Sequence, residues 1–253
     1  MRILVISDVH ANYRGLKAVI DKFHNVDEIW CLGDTVEYGP SPSKCIELVR
    51  QYCKHVVRGN HEDSFVNQQP TKAGGWSGWF PNNTTEETLN YIRQLPSIIS
   101  TEADGISYCL VHGSPRNHSQ GILNPYADQS DNIKEIEGTV EDRIAAGHSH
   151  MAMKLEVGGK LVVNPGTIGQ PWDGDYRAQC MLIEDGEFRF ERVEYSLHAL
   201  KQDYIHSKMD QIQAKTWFDY TRTGIVNVHG LRIGPFTPRQ KRISLEIPYP
   251  DTP

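Results

Sequence analysis

Arg2-Ile3-Leu4-Val5-Ile6-Ser7-Asp8-Val9-His10 is the stretch that decides the fold. An unbroken apolar run rich in β-branched residues ends in a carboxylate and an imidazole. Such a run suits a central strand covered on both faces, because a half-exposed strand would alternate apolar with polar residues. Asn12 follows and can cap a helix whose apolar positions Leu16, Val19, Ile20 and Phe23 recur at helical spacing. The pattern then repeats. Glu28 to Leu32 reads as a strand running into Gly33-Asp34. Ser41-Pro42 opens a helix with Cys45, Ile46, Val49 and Tyr52 on one face. His55-Val56-Val57 reads as a third strand ending at Gly59-Asn60. This β-α-β-α-β order predicts parallel strands joined by right-handed crossovers.

Further along, Glu62 to Asn83 shows no period and holds Trp76, Trp79 and Phe80. Thr84 and Glu87 fit a capping box for a helix lined by Leu89, Ile92 and Leu95 and stopped by Pro96. Ile106 to Val111 runs as a strand into His112, and Ile144-Ala145-Ala146 runs into Gly147-His148. Gly158-Gly159 and Asp185-Gly186 read as hairpin turns. The first half is therefore α/β and the second half largely antiparallel β, which two sheets packed face to face and flanked by helices accommodate. Residues 197 to about 217 predict a helix with Leu200, Tyr204, Ile205, Met209 and Ile212 on one side. Beyond Gly230 the chain is rich in proline and arginine and reads as an extension over the surface or into a partner subunit, a route to a homo-oligomer. The expected division is a domain over residues 1–195 and a C-terminal helix and tail over residues 196–253.

A chain of 253 residues can bury a full core without staples. Its net charge of −6 is spread without blocks. That argues against a membrane-surface role and against general nucleic-acid binding, with Arg232, Arg239, Lys241 and Arg242 of the tail a local exception. Cys31, Cys45, Cys53, Cys109 and Cys180 form no C-x-x-C pair and mostly fall in apolar runs, so buried free thiols in a reducing cytoplasm are expected. The opening apolar run is too short for a signal peptide or a membrane span.

Each strand end carries chemistry: Asp8-Val9-His10, Gly33-Asp34, Gly59-Asn60-His61-Glu62, His112-Gly113 and Gly147-His148-Ser149-His150. In open α/β sheets ligands bind beyond the carboxyl ends of strands, so these motifs should meet at one edge. Asp8 and His10 stand two apart on a segment read as extended, so both should point the same way, as should His148 and His150. Asp34 falls between the pairs, and a carboxylate has lone pairs enough to bridge two cations. Carboxylate, imidazole and amide without thiolate suit Mn, Fe or Zn in a working site rather than a structural zinc. Singly the motifs are weak. Asp-x-His is commonly incidental, His-x-His is common on surfaces, and Gly-Asn is ordinary turn chemistry. Their joint occurrence carries the reading.

In this order the motifs resemble those of the calcineurin-like metallophosphoesterases: D-x-H, G-D, G-N-H-[DE], a lone H, then G-H-x-H, across residues 2 to 193. The resemblance implies a four-layer αββα sandwich, the metallophosphoesterase fold, here with a C-terminal helical extension. It also implies two divalent cations (Mn, Fe, Zn, Ni or Mg, with Mn or Fe favoured). One would be held by Asp8, His10, Asp34 and His150, the other by Asp34, Asn60, His112 and His148. The stretches Asn164 to Pro171 and Gly33 to Pro40 are similar to segments of the small bacterial and archaeal phosphodiesterase branch. Protein serine/threonine phosphatases read G-D-x-x-D-R-G in the second motif. This chain has Glu37 for the second aspartate and Tyr38 for the arginine. Losing that bidentate clamp disfavours dianionic phosphomonoesters. Phosphodiesters or phosphoanhydrides are therefore favoured, including nucleotides such as dinucleoside polyphosphates, unless Arg58 or Arg177 substitutes.

The implied chemistry is attack by a hydroxide bridging the two cations. His61 is the candidate to protonate the leaving group, with Glu37 as its partner. Asn12, Asn60 and Arg58 are candidate substrate contacts, although helix capping explains Asn12 equally well. Trp76, Trp79 and Phe80 either stack a nucleobase or pack the insertion on the core. His118, His198, His206 and His229 read as surface or packing residues. The alternatives are a phosphomonoesterase or protein phosphatase, a nuclease, and a non-catalytic metal-binding scaffold of the kind that arises when ligands are lost. The complete ligand set argues against the scaffold.

Overall fold

The computed structural model describes residues 1–67 and 84–224, together with the backbone of two short strands, Val226–Val228 and Leu231–Ile233. Trp76, Trp79, Phe80, His229, Arg239, Lys241 and Arg242 lie outside the described residues, and Arg232 is described as backbone only.

The predicted β-α-β-α-β unit is β1 (Arg2–Ile6), α1 (Tyr13–Lys22), β2 (Glu28–Cys31), α2 (Pro42–Tyr52) and β3 (His55–Val56), with the three strands parallel. Asn12 caps α1, its Oδ1 accepting from the Gly15 N–H at 3.0 Å. There follow α3 (Asn60–Asn67), α4 (Glu86–Gln94), β4 (Ile98–Ala103), β5 (Ile106–Val111), α5 (Gln129–Glu135), β6 (Arg143–Ala145), β7 (Met153–Val157), β8 (Lys160–Asn164), β9 (Ala178–Glu184) and β10 (Glu187–Val193). Two helices, α6 (Leu197–His206) and α7 (Gln211–Thr223), close the described core. One sheet runs β10-β9-β1-β2-β3, with β9 antiparallel to β1. The other runs β4-β5-β6-β8-β7.

The four layers follow from burial. On β1, Ile3 and Val5 face the second sheet and share a cluster with Trp30, Leu32, Tyr108, Leu110, Ala145 and Val163. Leu4 and Ile6 face the other way, toward Leu16, Val19, Cys45 and Ile46 of the helices. Both faces of β1 are covered, which is why its sequence does not alternate. Each of these β1 side chains is 0 % exposed, a burial worth roughly 2 kcal/mol apiece. The outer face of the second sheet buries Val111, Ile144 and Val162 under Leu123 and Ile136.

Several expectations are corrected. The second half is largely antiparallel as expected, but it also holds two parallel pairs, β5–β6 and β6–β8, that the hairpin signals do not reveal. The hairpin turns are local signals, whereas a parallel pair needs a long crossover with no turn signature, here residues 112–142 between β5 and β6. Residues 60–67 are helical where no period was read, because so short a helix buries only Glu62 and Phe65, too few to display one. The cap of α4 is Thr85, whose Oγ1 accepts from the Thr88 N–H at 3.2 Å, rather than Thr84. The single C-terminal helix is two. Lys208 takes φ +61° and Asp210 starts α7 by accepting from the Ile212 and Gln213 N–H groups. That break turns Ile205 and Ile212 to solvent, at 60 % and 77 % exposed. Tyr52, at the fraying end of α2, is likewise exposed. All five cysteines are free thiols, four of them buried. Among the described residues no helix is long and apolar enough to cross a membrane.

Candidate metal centre

Asp8, Asp34, Asn60, His112 and His148 follow β1, β2, β3, β5 and β6 within a few residues, so the parallel strand ends of both sheets converge on one edge. The local backbone is not extended as expected. Asp8, His10, Asp34, His148 and His150 all take positive φ, between +46° and +64°, as do Glu37 and Tyr38. The period-two rule therefore does not aim these side chains; tight left-handed turns do. Such conformations cost about 1–3 kcal/mol each for non-glycine residues and persist only when surroundings over-determine them. Here cross-loop bonds do so: Asp8 N to Gly33 O at 3.0 Å, His10 N to Asp34 O at 2.8 Å, and Gly147 N to His112 O at 2.8 Å. Close approach also demands glycine at position 59, where a Cβ would lie 2.1 Å from Asp34 Oδ1.

The side chains form overlapping groups: Asp8, His10 and His150; His10, Asp34 and His61; and Asp34, His112 and His148, with ligand atoms within 4.8 Å inside each. His150 Nε2 lies 3.1 Å from Asp8 Oδ1 and 3.0 Å from His10 Nε2. His112 Nε2 lies 3.1 Å from Asp34 Oδ2 and 3.0 Å from Asn60 Oδ1. Asp34 Oδ2 is also 3.9 Å from His10 Nε2, so this one carboxylate links both ends. All the residues singled out as ligands from sequence thus meet at one place.

Three of the imidazoles are oriented alike. His10, His112 and His150 donate from Nδ1 to the carbonyls of Val36 (3.3 Å), Leu32 (2.7 Å) and Gln170 (2.8 Å). A carbonyl only accepts, so the neutral ring presents its Nε2 lone pair inward, the tautomer that second-sphere partners impose on metal-binding histidines. His10 and His150 therefore aim lone pairs at each other. Asp8 Oδ1 is buried with no hydrogen-bond partner. Inward acceptors with nothing to accept are what a divalent cation requires, and the donor set of carboxylate, imidazole and amide fits one.

The charges are strongly coupled. Burial would raise the Asp8 carboxyl, but His150 overrides it and brings it to about 2. Burial is likewise outweighed at Asp34, which His112 and His61 hold well below the usual carboxylate range. Burial opposes protonation of His112, yet Asp34 pushes it up to about 10. Burial and the neighbouring His150 push His10 well down.

Beside Asp34, the His61 N–H donates to Asp34 Oδ1 at 2.9 Å. His61 Nδ1 and Glu37 Oε2 are 2.6 Å apart, and the Tyr38 hydroxyl lies 3.2 Å from His61 Nε2. Burial lowers the His61 imidazole, but Asp34 and then Glu37 raise it to about 9. Asn12 is buried, capping α1 and donating to the Tyr195 hydroxyl at 3.0 Å. Arg58 pairs with Asp63 at 2.8 Å, and Arg177 with Asp175 at 2.6 Å.

Sequence reasoning gave Glu62 no role. It is fully buried, and its carboxylate accepts from the N–H groups of Asp34 (2.8 Å), Gly59 (2.9 Å) and Thr35 (2.5 Å). It thereby splices the second motif to the third. An acidic residue in the first helical turn behind Gly59-Asn60 was the available signal. Tyr38 packs against His10 and His61, with ring centroids at 4.6 and 4.7 Å, and against Trp217 at 4.3 Å. Trp172 lies on His150 at 4.5 Å. No sequence signal marked Trp172 or Trp217.

Comparison with known proteins agrees with this geometry. The profile of the calcineurin-like phosphoesterase superfamily domain matches residues 1–186. The uncharacterized protein MJ0912 of Methanocaldococcus jannaschii is 28 % identical over 236 residues, covering 83 % of this chain and 94 % of that protein. The crystal structure of a metallophosphoesterase from Sphaerobacter thermophilus is 30 % identical with a TM-score of 0.75, over 87 % of this chain and all of that one. A bis(5'-nucleosyl)-tetraphosphatase of Erwinia tasmaniensis is 27 % identical over 39 % of each chain. The chain belongs to the calcineurin-like phosphoesterase superfamily and is a metal-dependent phosphoric ester hydrolase.

Proposed function

We propose that this protein hydrolyses phosphodiester or phosphoanhydride bonds, with nucleotides such as dinucleoside polyphosphates as the candidate substrate class. The supporting observation is the placement of Tyr38. Tyr38 stands in the second motif where the protein phosphatases have their clamping arginine, and its ring packs on His61 with its hydroxyl 3.2 Å from His61 Nε2. A diester or an internal phosphoanhydride carries one negative charge at the scissile phosphorus and needs less of that grip.

Asp8, His10, Asp34 and His150 would hold one divalent cation, and Asp34, Asn60, His112 and His148 a second, with Mn or Fe the favoured metals. Together such ions supply an acidic water and positive charge for the phosphoryl oxygens. Asp34, within reach of both groups of side chains, would be shared by the two sites. His61, raised toward protonation beside Glu37, would deliver a proton to the departing oxygen from Nε2, the nitrogen that Glu37 leaves unbound and that the Tyr38 hydroxyl approaches to 3.2 Å. Asn60, half-buried beside His112, would also contact the substrate. Asn12 and Arg58 are engaged elsewhere and act at most through the loops they brace. Buried free thiols suit a reducing compartment such as the cytoplasm.

The test is hydrolysis by protein stripped of metal and reloaded with Mn. Bis(p-nitrophenyl) phosphate, p-nitrophenyl phosphate, diadenosine tetraphosphate and a phosphopeptide are compared by kcat/KM. Preference for the first and third is expected. A dominant monoester or phosphopeptide activity would transfer the assignment to a phosphomonoesterase, the alternative favoured by a partial likeness to serine/threonine-protein phosphatase 2 of Escherichia coli (27 % identity over 44 % of this chain and 57 % of that protein).

A further inference from the structure

Helix α7 lies beyond the residues matched by the family profile, yet it holds the loop that covers His150. The loop is residues 169–174, and α7 ties it at both ends. At one end Thr221, 1 % exposed, accepts at Oγ1 from Gln170 Nε2 at 3.3 Å and lies 3.3 Å from the Gly169 carbonyl. At the other end the Gly174 N–H donates to the carbonyl of Gly224, the left-handed residue that ends α7, at 3.1 Å. Between these ties sit Gln170, whose carbonyl accepts from His150 Nδ1 at 2.8 Å, and Trp172, whose ring lies on His150. One turn earlier on the helix, Trp217 backs Tyr38.

We propose that α7 is a working part of the metal centre, with Thr221 a positioning residue that acts through Gln170 on His150. The inference rests on the reading of His150 as a metal ligand. The physical argument is the accounting of one buried amide. Gln170 is 2 % exposed, and its peptide unit is fixed by three groups: Thr167 Oγ1 accepts from its N–H at 3.0 Å, its carbonyl receives His150, and Thr221 holds its side chain. Removing the Thr221 hydroxyl strands a buried N–H2, which the loop relieves by moving, and the carbonyl that sets the His150 tautomer moves with it. A helix that merely covered the core would have no such line to a ligand.

The experiment measures Mn(II) affinity by calorimetry, alongside thermal melting and kcat/KM, for the wild type, Thr221→Val, Thr221→Ser, Gln170→Met and the Thr221→Val/Gln170→Met double variant. Thr221→Val, nearly isosteric, should weaken Mn binding about 10-fold. Thr221→Ser should return affinity to within about threefold of wild type, the hydroxyl being restored. Gln170→Met should match Thr221→Val, and the double variant should be no worse than the weaker single, because one hydrogen bond is lost in all three. Unchanged Mn affinity in Thr221→Val despite a lower melting temperature would reduce α7 to a structural cover and overturn the inference, as would additive losses in the double variant. If Thr221→Val does not fold, Gln170→Met carries the same comparison. A wild type that binds no Mn and hydrolyses nothing sinks the metal-centre reading itself. A wild type that does both, with indifferent variants, sinks this inference alone.

Discussion

His10 Nε2 and His150 Nε2 meet at 3.0 Å while the other nitrogen of each ring donates to a backbone carbonyl. Two lone pairs held face to face in a buried site repel unless positive charge lies between them. Adding Mn(II) at about 100 times its dissociation constant should stabilise the protein by about 2.7 kcal/mol. For a chain of this size that is a rise in melting temperature of roughly 5–10 °C. Differential scanning fluorimetry with Mn, Zn and Ni, each against excess chelator, measures it. Identical melting under all conditions would count decisively against a metal centre.

Asp34 reaches both ends of the cluster through one oxygen, 3.1 Å from His112 and 3.9 Å from His10. Asp34→Asn keeps the shape and removes the charge. It should lower kcat/KM by about 100-fold or more and reduce bound metal, with the circular dichroism spectrum unchanged. Elemental analysis and steady-state kinetics on the same preparation decide; full turnover in this variant refutes the proposed bridge.

Glu37 and His61 are 2.6 Å apart beside Asp34. If His61 protonates the leaving oxygen, His61→Asn should cost roughly 10²–10⁴-fold in kcat on substrates with alkoxide leaving groups and far less with p-nitrophenolate, which needs no proton. Glu37→Gln should fall in between. The readout is the dependence of kcat on leaving-group pKa: a steeper slope in the variants is expected, and parallel slopes would assign His61 a purely structural part.

Glu62 accepts from three backbone N–H groups, those of Asp34, Thr35 and Gly59. Glu62→Gln replaces one acceptor with an N–H2 aimed at donors. The cost should be about 1–3 kcal/mol in urea unfolding of the metal-free protein, with loss of metal binding. A variant as stable as wild type would mean the loops hold their own shape.

Arg192 joins Asp173, a very short contact, and Asp175 at 3.4 Å, while Arg177 holds Asp175 at 2.6 Å. Burial would raise the Asp175 carboxyl, but Arg177 and Arg192 lower it below 3.8. A depressed carboxylate contributes stability above its unfolded value and loses it as pH falls through the folded value. Wild-type stability should therefore carry an acid-sensitive component below pH 3.8 that is already reduced at neutral pH in Arg192→Met. That variant should lose roughly 1.5–3 kcal/mol at pH 7, as expected when a hydrogen bond to a charged group in a half-buried cluster is removed. Thermal unfolding of both proteins from pH 3 to 7 tests it; parallel acid curves would show that the pair contributes nothing.

Some of this protein was legible because its signals are local. The double burial of β1 is written in Ile3 to Ile6, and the parallel start in the spacing of three strand-then-helix units. The candidate ligands are legible because imidazole, carboxylate and amide at strand ends have few other uses in combination. Helix α3 was missed because a short helix shows too few apolar positions, and the split between α6 and α7 because a break at Lys208 leaves the periodicity nearly intact. The role of Glu62 was hidden, since two of its three partners are backbone groups that follow another strand.

Sequence alone determined most of the elements and brought forward the candidate ligands, because propensity, period and ligand type are properties of neighbours along the chain. Only the tertiary structure decided how those side chains are aimed. Left-handed turns at Asp8, His10, Asp34, His148 and His150 replaced the extended geometry that spacing predicted. The carbonyls that choose each tautomer, and the helix that holds Gln170, come from residues distant in the chain. Contacts of that kind depend on how layers pack, and no local window contains them.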